Sequence, residues 1–275
     1  MIEKIRLYDL SDPKTSIYSS RSETELFRMN EPKPGIFIAE TELVIRRALN
    51  AGFVPISMLC LDKGLDTFSN LIDLCDNSRP AEEKENENLN VYYAPDELLK
   101  DLLGFPLTRG VLCAMKRTKA SDINEVLKDA QNIAILCDVE NPTNVGTIFR
   151  NAAALNIDAV LLIGSCSDPY YRRSLRAGMG CQFMVPWTFL DRIETIKEMG
   201  FNLAAFALRE DTLTLSEYAD KKIAKKAIIL GNEGFGLPDE VLNMCDSVIK
   251  IPMREGVDSL NVAVASGIAF YELTK

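Results

Sequence analysis

Residues 133–164 read IAILCDVENPTNVGTIFRNAAALNIDAVLLIG, and the order of their parts decides the architecture of the C-terminal half. Residues 133–139 (IAILCDV) are an apolar run of strand length. Residues 145–156 (VGTIFRNAAALN) place Val145, Ile148, Phe149 and Ala152 on one face of a helix, and residues 158–164 (DAVLLIG) are apolar again. A strand, a helix and a second strand, with both strands apolar throughout, is the pattern of a parallel sheet covered on both faces. Pro142 biases Asn141 away from helix, and Asn144 suits the N-cap position before Val145. Gly146 and Arg150 share another face at i,i+4 spacing. In a chain without histidine, Arg150 is either an exposed charge on a surface helix or a functional cation.

The same rhythm continues to the C-terminus. Residues 169–180 (PYYRRSLRAGMG) and 192–200 (RIETIKEMG) read as helices, and 183–187 (FMVPW), 201–208 (FNLAAFAL), 225–231 (KKAIILG) and 246–253 (DSVIKIPM) as strands. Residues 259–275 (SLNVAVASGIAFYELTK) read as a closing helix. Alternation of this kind predicts an α/β fold on a parallel sheet. The N-terminal half is polar to about Pro34. It then shows Ile45, Leu49 and Phe53 at helical spacing, with Gly52 ending the helix, and strands at 54–61 (VPISMLCL), 91–94 (VYYA) and 110–117 (GVLCAMKR). Helices are expected at 71–75 (LIDLC) and 95–104 (PDELLKDLLG), and an exposed loop at 76–90. The expected division is a small α/β domain over 1–117, a linker over 118–132 and a second domain over 133–275.

Composition removes several function classes. Of the 275 residues 47% are hydrophobic, enough for a packed core, and the formal net charge of −9 is opposite to that of a generic nucleic-acid binder. Bulk charge leaves room for local basic patches. Arg172, Arg173 and Arg176 cluster on one expected helix, and Lys116, Arg117 and Lys119 precede the linker as either an RNA contact or a solvated face. The seven cysteines form no C-x-x-C pair and no histidine can complete a zinc site, so no metal is expected. Free thiols suit a reducing cytoplasm. The N-terminus MIEKIRLYDLSDPK has no apolar signal region, and no apolar run has the length of a membrane span.

Ligands of parallel sheets bind at the carboxyl ends of strands, and two more segments there stand out. Residues 229–242 (ILGNEGFGLPDEVL) run from a strand into three glycines and a proline that opens a helix. They are either a plain strand–turn–helix corner or a loop that lets backbone approach a ligand. The dinucleotide fingerprint G-x-G-x-x-G is missing, which argues against a nucleotide-dependent oxidoreductase. Residues 250–267 (KIPMREGVDSLNVAVASG) end a strand, cross a glycine-bearing loop and start a helix for which Ser259 is the expected cap.

Taken together, NPTNVGTIFRNAAAL (141–155), GNEGFGL (231–237) and IPMREGVDSLNVAVASGIAFYEL (251–273) resemble, in order and spacing, the three motifs of the SpoU/TrmH family of RNA ribose 2'-O-methyltransferases. DPYYRRSLRAGMG (168–180) resembles the family's intervening segment. FIAETELVIRRALNAGFVPISML (37–59) and TRGVLCAMKR (108–117) resemble the substrate-binding domain that often precedes it. In one departure, Glu255 stands where the family commonly has glycine, and Gly256 follows, with the length to Ser259 unchanged.

The resemblance implies a SPOUT fold, a parallel-sheet C-terminal domain with a deep trefoil knot, although knots are nearly absent from proteins in general. It implies S-adenosylmethionine as methyl donor, held by Gly231, Asn232, Ile251, Met253, Ser259 and Leu260. Arg150, Asn144, Glu233 and Asn261 would be the catalytic set, Arg172, Arg173 and Arg176 would meet RNA, and the protein would be a homodimer. A guanidinium normally stays protonated, so positioning a phosphate and stabilising the developing alkoxide is the simpler role for Arg150. The substrate-binding domain points to ribosomal RNA. Transfer RNA is the alternative substrate, and a non-catalytic RNA-binding homologue the alternative function.

Overall fold

Apolar runs in the first 119 residues pair into a mixed five-stranded sheet. Its strands are Ile2–Arg6 (β1), Ile36–Glu40 (β2), Pro55–Leu61 (β3), Leu89–Ala94 (β4) and Val111–Lys116 (β5), in the order β1-β4-β3-β5-β2. β4 runs parallel to β1 and β3, while β5 is antiparallel to β3 and β2. The period-two alternation of strands sends neighbours to opposite faces. Phe37, Met58, Val91 and Cys113 join one core with Ile45 and Leu49 of the helix Glu42–Asn50, and Ile38, Leu59, Tyr92 and Leu112 join another with Leu99 of the helix Asp96–Leu103. The structure is a computed structural model, and it describes residues 1–9, 12–19, 21–104, 107, 110–207, 209, 212–257 and 259–275. Thr108 and Arg109 of TRGVLCAMKR, Leu208 at the end of the expected strand 201–208, and Asp258 of the third motif lie outside the described residues.

The N-terminal reading missed β1, β2 and the helix Glu23–Arg28. β1 is an edge strand of sequence IEKIR with no fully buried residue, so its hydrophobic signal is weak. β2 is buried along its whole length but runs almost directly into the following helix, which hides its boundary. The helix Ala81–Asn86, inside the segment expected as a loop, buries no residue and therefore has no apolar period to reveal it.

The chain divides into two compact units, residues 1–119 with 170–183, and residues 120–169 with 184–275. Segment 170–183, expected in the second domain, thus belongs to the first unit. Tyr170 and Phe183 stack on each other at 5.3 Å, and both contact Phe37 and Phe53, while Leu175 is buried in the same core. A helical apolar face shows that Leu175 is buried but not which sheet buries it.

In the second unit the strands are Asn132–Cys137 (β6), Ala159–Ile163 (β7), Trp187–Phe189 (β8), Asn202–Phe206 (β9), Leu213–Thr214 (β10), Lys226–Leu230 (β11) and Ser247–Lys250 (β12). They form one seven-stranded sheet in the order β10-β12-β9-β11-β6-β7-β8, with every pairing parallel, as the alternation of strands and helices predicts. Ala134, Leu136, Ile228 and Leu230 face one core, and Ile133, Ile135, Ala227 and Ile229 the other. Residues 120–132 of the expected linker 118–132 are built into this unit: Val126, Leu127 and Ala130 are buried in its core, and the Asp158 carboxylate accepts from the Gln131 and Asn132 amides at 2.9 and 2.8 Å. The strand expected at 183–187 begins only at Trp187, because Pro186 has no amide to give to the ladder and Cys181–Phe183 form a 3-10 turn.

Candidate active site

The carboxyl ends of β6, β11 and β12 lead into the three unusual segments. After β6, Pro142 opens a helix that runs to Ala154, and its N-cap is Asn141, whose side chain accepts from the Thr143 amide at 2.9 Å. The expected cap, Asn144, lies inside the first turn instead and is 6% exposed. Proline favours the first helical position, which moves the cap one residue upstream of it. The terminal helix Val262–Leu273 is likewise capped by Asn261, which accepts from the Ala263 and Val264 amides at 2.9 and 3.3 Å. Ser259, the expected cap, is exposed on the preceding loop.

Freed from capping, the Asn144 side chain joins the three segments. Its amide donates to Glu233 Oε1 at 2.7 Å, and its carbonyl accepts from Asn261 Nδ2 at 3.1 Å. The Asn261 carbonyl is occupied at its helix end, so the chain of donors runs one way, from Asn261 through Asn144 to Glu233. Glu233 is exposed, and its carboxylate is therefore open to a ligand. Three of the four expected catalytic residues are thus brought into contact. Asn151, which sequence reasoning missed, ties the two helices together by donating to Ala263 O at 2.8 Å and Ser266 Oγ at 2.9 Å.

Beside this chain lies a cavity of about 710 Å³. Gly231, Asn232, Ile251, Met253, Ser259 and Leu260 all line it, with Leu242 and Ile249 adding apolar wall. Its size is ordinary for a small-molecule site. The loop 231–236 is closed on itself: Asn232 and Gly236 exchange backbone hydrogen bonds of 3.0 Å each, and Asn232 Oδ1 accepts from the Gly234 and Phe235 amides at 2.8 and 3.1 Å. Asn232 Nδ2 donates to the Asp138 carbonyl at 2.8 Å, anchoring the loop to the end of β6. Asp138, also missed from sequence, holds φ at 55°, and its carboxylate accepts from the Ser165 amide at 2.7 Å. Gly231 is small for the sake of this loop, since a Cβ there would lie 2.6 Å from the Gly236 carbonyl oxygen. At the departure in the third motif, Gly256 has φ of +83° in a turn where Val257 donates to the Arg254 carbonyl at 3.1 Å. Gly256 therefore supplies the left-handed residue that the turn requires.

Arg150 is exposed and makes no hydrogen bond or ion pair with any described residue. Of the three arginines on the helix Arg172–Gly178, Arg173 and Arg176 are exposed, whereas the Arg172 guanidinium lies 3.4 Å from the buried Glu40 carboxylate. Burial lowers the pKa of Arg172, and Glu40 and Glu23 oppose that shift. Its charge is engaged inside the first unit, which leaves Arg173 and Arg176 as the open cations of that helix. Burial, with Asp138 adding to it, pushes the Cys137 thiol up to about 12, and burial pushes Cys166 up to about 11, so neither is a thiolate nucleophile at neutral pH. Among the described residues no cluster of three or more His, Cys, Asp or Glu side chains is placed to hold a metal ion, and no helix is long and apolar enough to cross a membrane.

Residues 131–271 match the model of the SpoU rRNA Methylase family. The chain is 36% identical over 245 residues to an uncharacterized tRNA/rRNA methyltransferase of Mycobacterium tuberculosis, covering 87% of this chain and 81% of that protein. It is 31% identical over 176 residues to a 23S rRNA (guanosine-2'-O-)-methyltransferase of Vibrio parahaemolyticus, covering 61% of this chain and 70% of the other. Among solved structures, the AdoMet-bound rRNA methyltransferase of Sinorhizobium meliloti has the same fold, with a TM-score of 0.79 over 98% of this chain and 97% of that one at 20% identity.

Proposed function

The chain belongs to the SpoU rRNA methylase family, and from that premise we propose that it methylates a ribose 2'-hydroxyl of ribosomal RNA as a homodimer. It is an S-adenosylmethionine-dependent RNA methyltransferase with an α/β fold of the SPOUT type. The observation that carries the reading is the hydrogen-bonded chain Asn261–Asn144–Glu233, which joins all three motifs beside the cavity. Ribosomal RNA is favoured over transfer RNA by the family's description and by the 23S rRNA relative. Seven free cysteines support a reducing cytoplasm. The likeness of the fold to the Sinorhizobium meliloti methyltransferase supports the deep trefoil knot.

The cavity suits S-adenosylmethionine in size, and its wall combines apolar side chains with backbone of the glycine loop. Gly231, Asn232, Ile251, Met253, Ser259 and Leu260 would hold the cofactor, which when bound supplies a methyl group on a positively charged sulfur. The acceptor hydroxyl is a weak nucleophile and loses its proton as the new bond forms. Arg150 binds the neighbouring phosphate and stabilises the developing oxyanion through its planar fork of donors. Asn144 and Asn261 hold the Glu233 carboxylate in place at the rim. Arg173 and Arg176 add sequence-independent contact to RNA phosphates.

A methyl-transfer assay with purified ribosomal RNA and, in parallel, bulk transfer RNA tests the reading. Nucleoside mass spectrometry should show a new 2'-O-methyl nucleoside from the ribosomal RNA. Transfer to the tRNA alone would reassign the substrate, and transfer to neither would remove the catalytic reading.

Support for the dimer comes from the terminal helix, where Val264, Ile268 and Tyr271 are 53%, 40% and 58% exposed at i, i+4 and i+7. An apolar stripe of that kind on a helix marks a contact surface. Replacing Val264 and Ile268 together with Asp should convert the protein to a monomer at micromolar concentration, with the helical circular dichroism unchanged. Sedimentation that finds the variant still dimeric would place the interface elsewhere.

A further inference from the structure

Phe235 is 96% exposed, on the loop 231–236 that lines the cavity, and it stands at the cavity's edge. Leaving a full aromatic ring in water is unfavourable, and a mobile loop would normally fold it back onto apolar surface. This loop is fixed by its own hydrogen bonds. The Phe235 amide donates to Asn232 Oδ1, the Gly236 amide donates to the Asn232 carbonyl, and Asn232 is itself tied to Asp138. The ring is therefore presented on a preorganised support, two residues from Glu233 and its contact with Asn144.

Resting on the methyltransferase reading, we propose that Phe235 is a specificity residue that stacks on an unpaired nucleobase of the RNA substrate at or next to the methylated nucleotide. Three observations select this occupant. Phe235 borders the cavity, yet it is 96% exposed, so the protein covers almost none of the ring and a face of it stays open at the rim. The apolar stripe suited to a second copy of the chain is on a different element, the terminal helix. The reaction brings a nucleotide to this rim, and single-stranded RNA is recognised through bases laid on aromatic faces. A base has a π face whatever its identity, so the contact selects for an unstacked nucleotide rather than for a particular sequence.

Four measurements on the full-length protein test the assignment: S-adenosylmethionine affinity by calorimetry, mass by sedimentation, single-turnover methyl transfer against ribosomal RNA concentration, and fluorescence of Phe235→Trp. Phe235→Ala and Phe235→Leu should both raise the RNA concentration for half-maximal rate about tenfold to a hundredfold, the scale of one lost base–aromatic stack. Cofactor affinity and mass should not change. Phe235→Trp should restore the RNA dependence, and its added emission, measured against the parent with Trp187 alone, should be quenched by RNA and not by cofactor. Unchanged RNA dependence in Phe235→Ala overturns the proposal. A loss that follows cofactor affinity would make the ring a cover for the cofactor, and a shift to monomer would make it a contact between copies; either result also overturns it. Should the wild-type protein methylate neither RNA, the methyltransferase reading fails by itself, and the tryptophan emission still decides whether the ring meets RNA.

Discussion

Arg150→Ala should lose about a hundredfold or more in the rate of methyl transfer and keep its affinity for S-adenosylmethionine. The side chain is exposed and without a protein partner among the described residues, so removing it costs the fold little. It is absent from the cavity wall, which is why cofactor affinity should be unaffected. In the role proposed for Arg150, what disappears is a charged donor aimed at charge that develops in the transition state, worth about 3 kcal/mol or more. Arg150→Lys should fail almost as badly, because an ammonium cannot engage a phosphate and an alkoxide with one planar fork. Single-turnover transfer to ribosomal RNA beside a calorimetric titration reads both quantities. A wild-type rate in Arg150→Ala would make this residue a solvated helix charge and leave the phosphate and the developing oxyanion to other groups.

Gly231→Val should abolish measurable S-adenosylmethionine binding, a loss of at least about a hundredfold, while the sheet stays folded. A Cβ at this position would sit 2.6 Å from the Gly236 oxygen and 2.8 Å from Leu237 Cγ. Relieving that overlap breaks the two backbone hydrogen bonds between Asn232 and Gly236, at about 1 kcal/mol each, and adds overpacking strain of about 1–3 kcal/mol. The damage falls on the loop beyond β11, whose own ladder with β6 and β9 ends at or before Leu230. Circular dichroism checks the fold and calorimetry the binding. Full affinity in a folded variant would mean that the cofactor sits outside this loop.

Why glycine is needed at 231 could be misread from sequence, where it suggests room for a ligand; the structure shows that the loop itself needs the room. The two cap assignments failed for a related reason. Asn141 and Asn144 are equally good capping residues, and the proline between them decides in favour of Asn141. Likewise Ser259 and Asn261 both suit a cap, and Asn261 is the one adjacent to the helix. Strands such as β6, β7 and β11 were legible because they are apolar on both faces. The contact of Asn144 with Glu233 spans 89 residues and that with Asn261 spans 117, and no local pattern encodes pairings at that distance. The motif residues could be picked out from the sequence, but not the order in which they bond. Segment 170–183 shows the same limit at the level of domains, since its apolar face names no partner.

The positions of Asn144 and Asn261 also carry an electrostatic consequence. One lies in the first turn of its helix and the other caps its own, so the amino ends of two helices meet at Asn144, which in turn holds Glu233. Each end carries about half an elementary positive charge, so the nearer one offsets part of the carboxylate. An acidic residue can then stand at the rim of a site for a polyanion while adding less to the repulsion expected from a chain of net charge −9. Peptide dipoles release no counterions when RNA binds. As salt is raised their effect weakens by screening alone, whereas the contribution of arginines to phosphate binding also loses its counterion-release term and should fade more steeply.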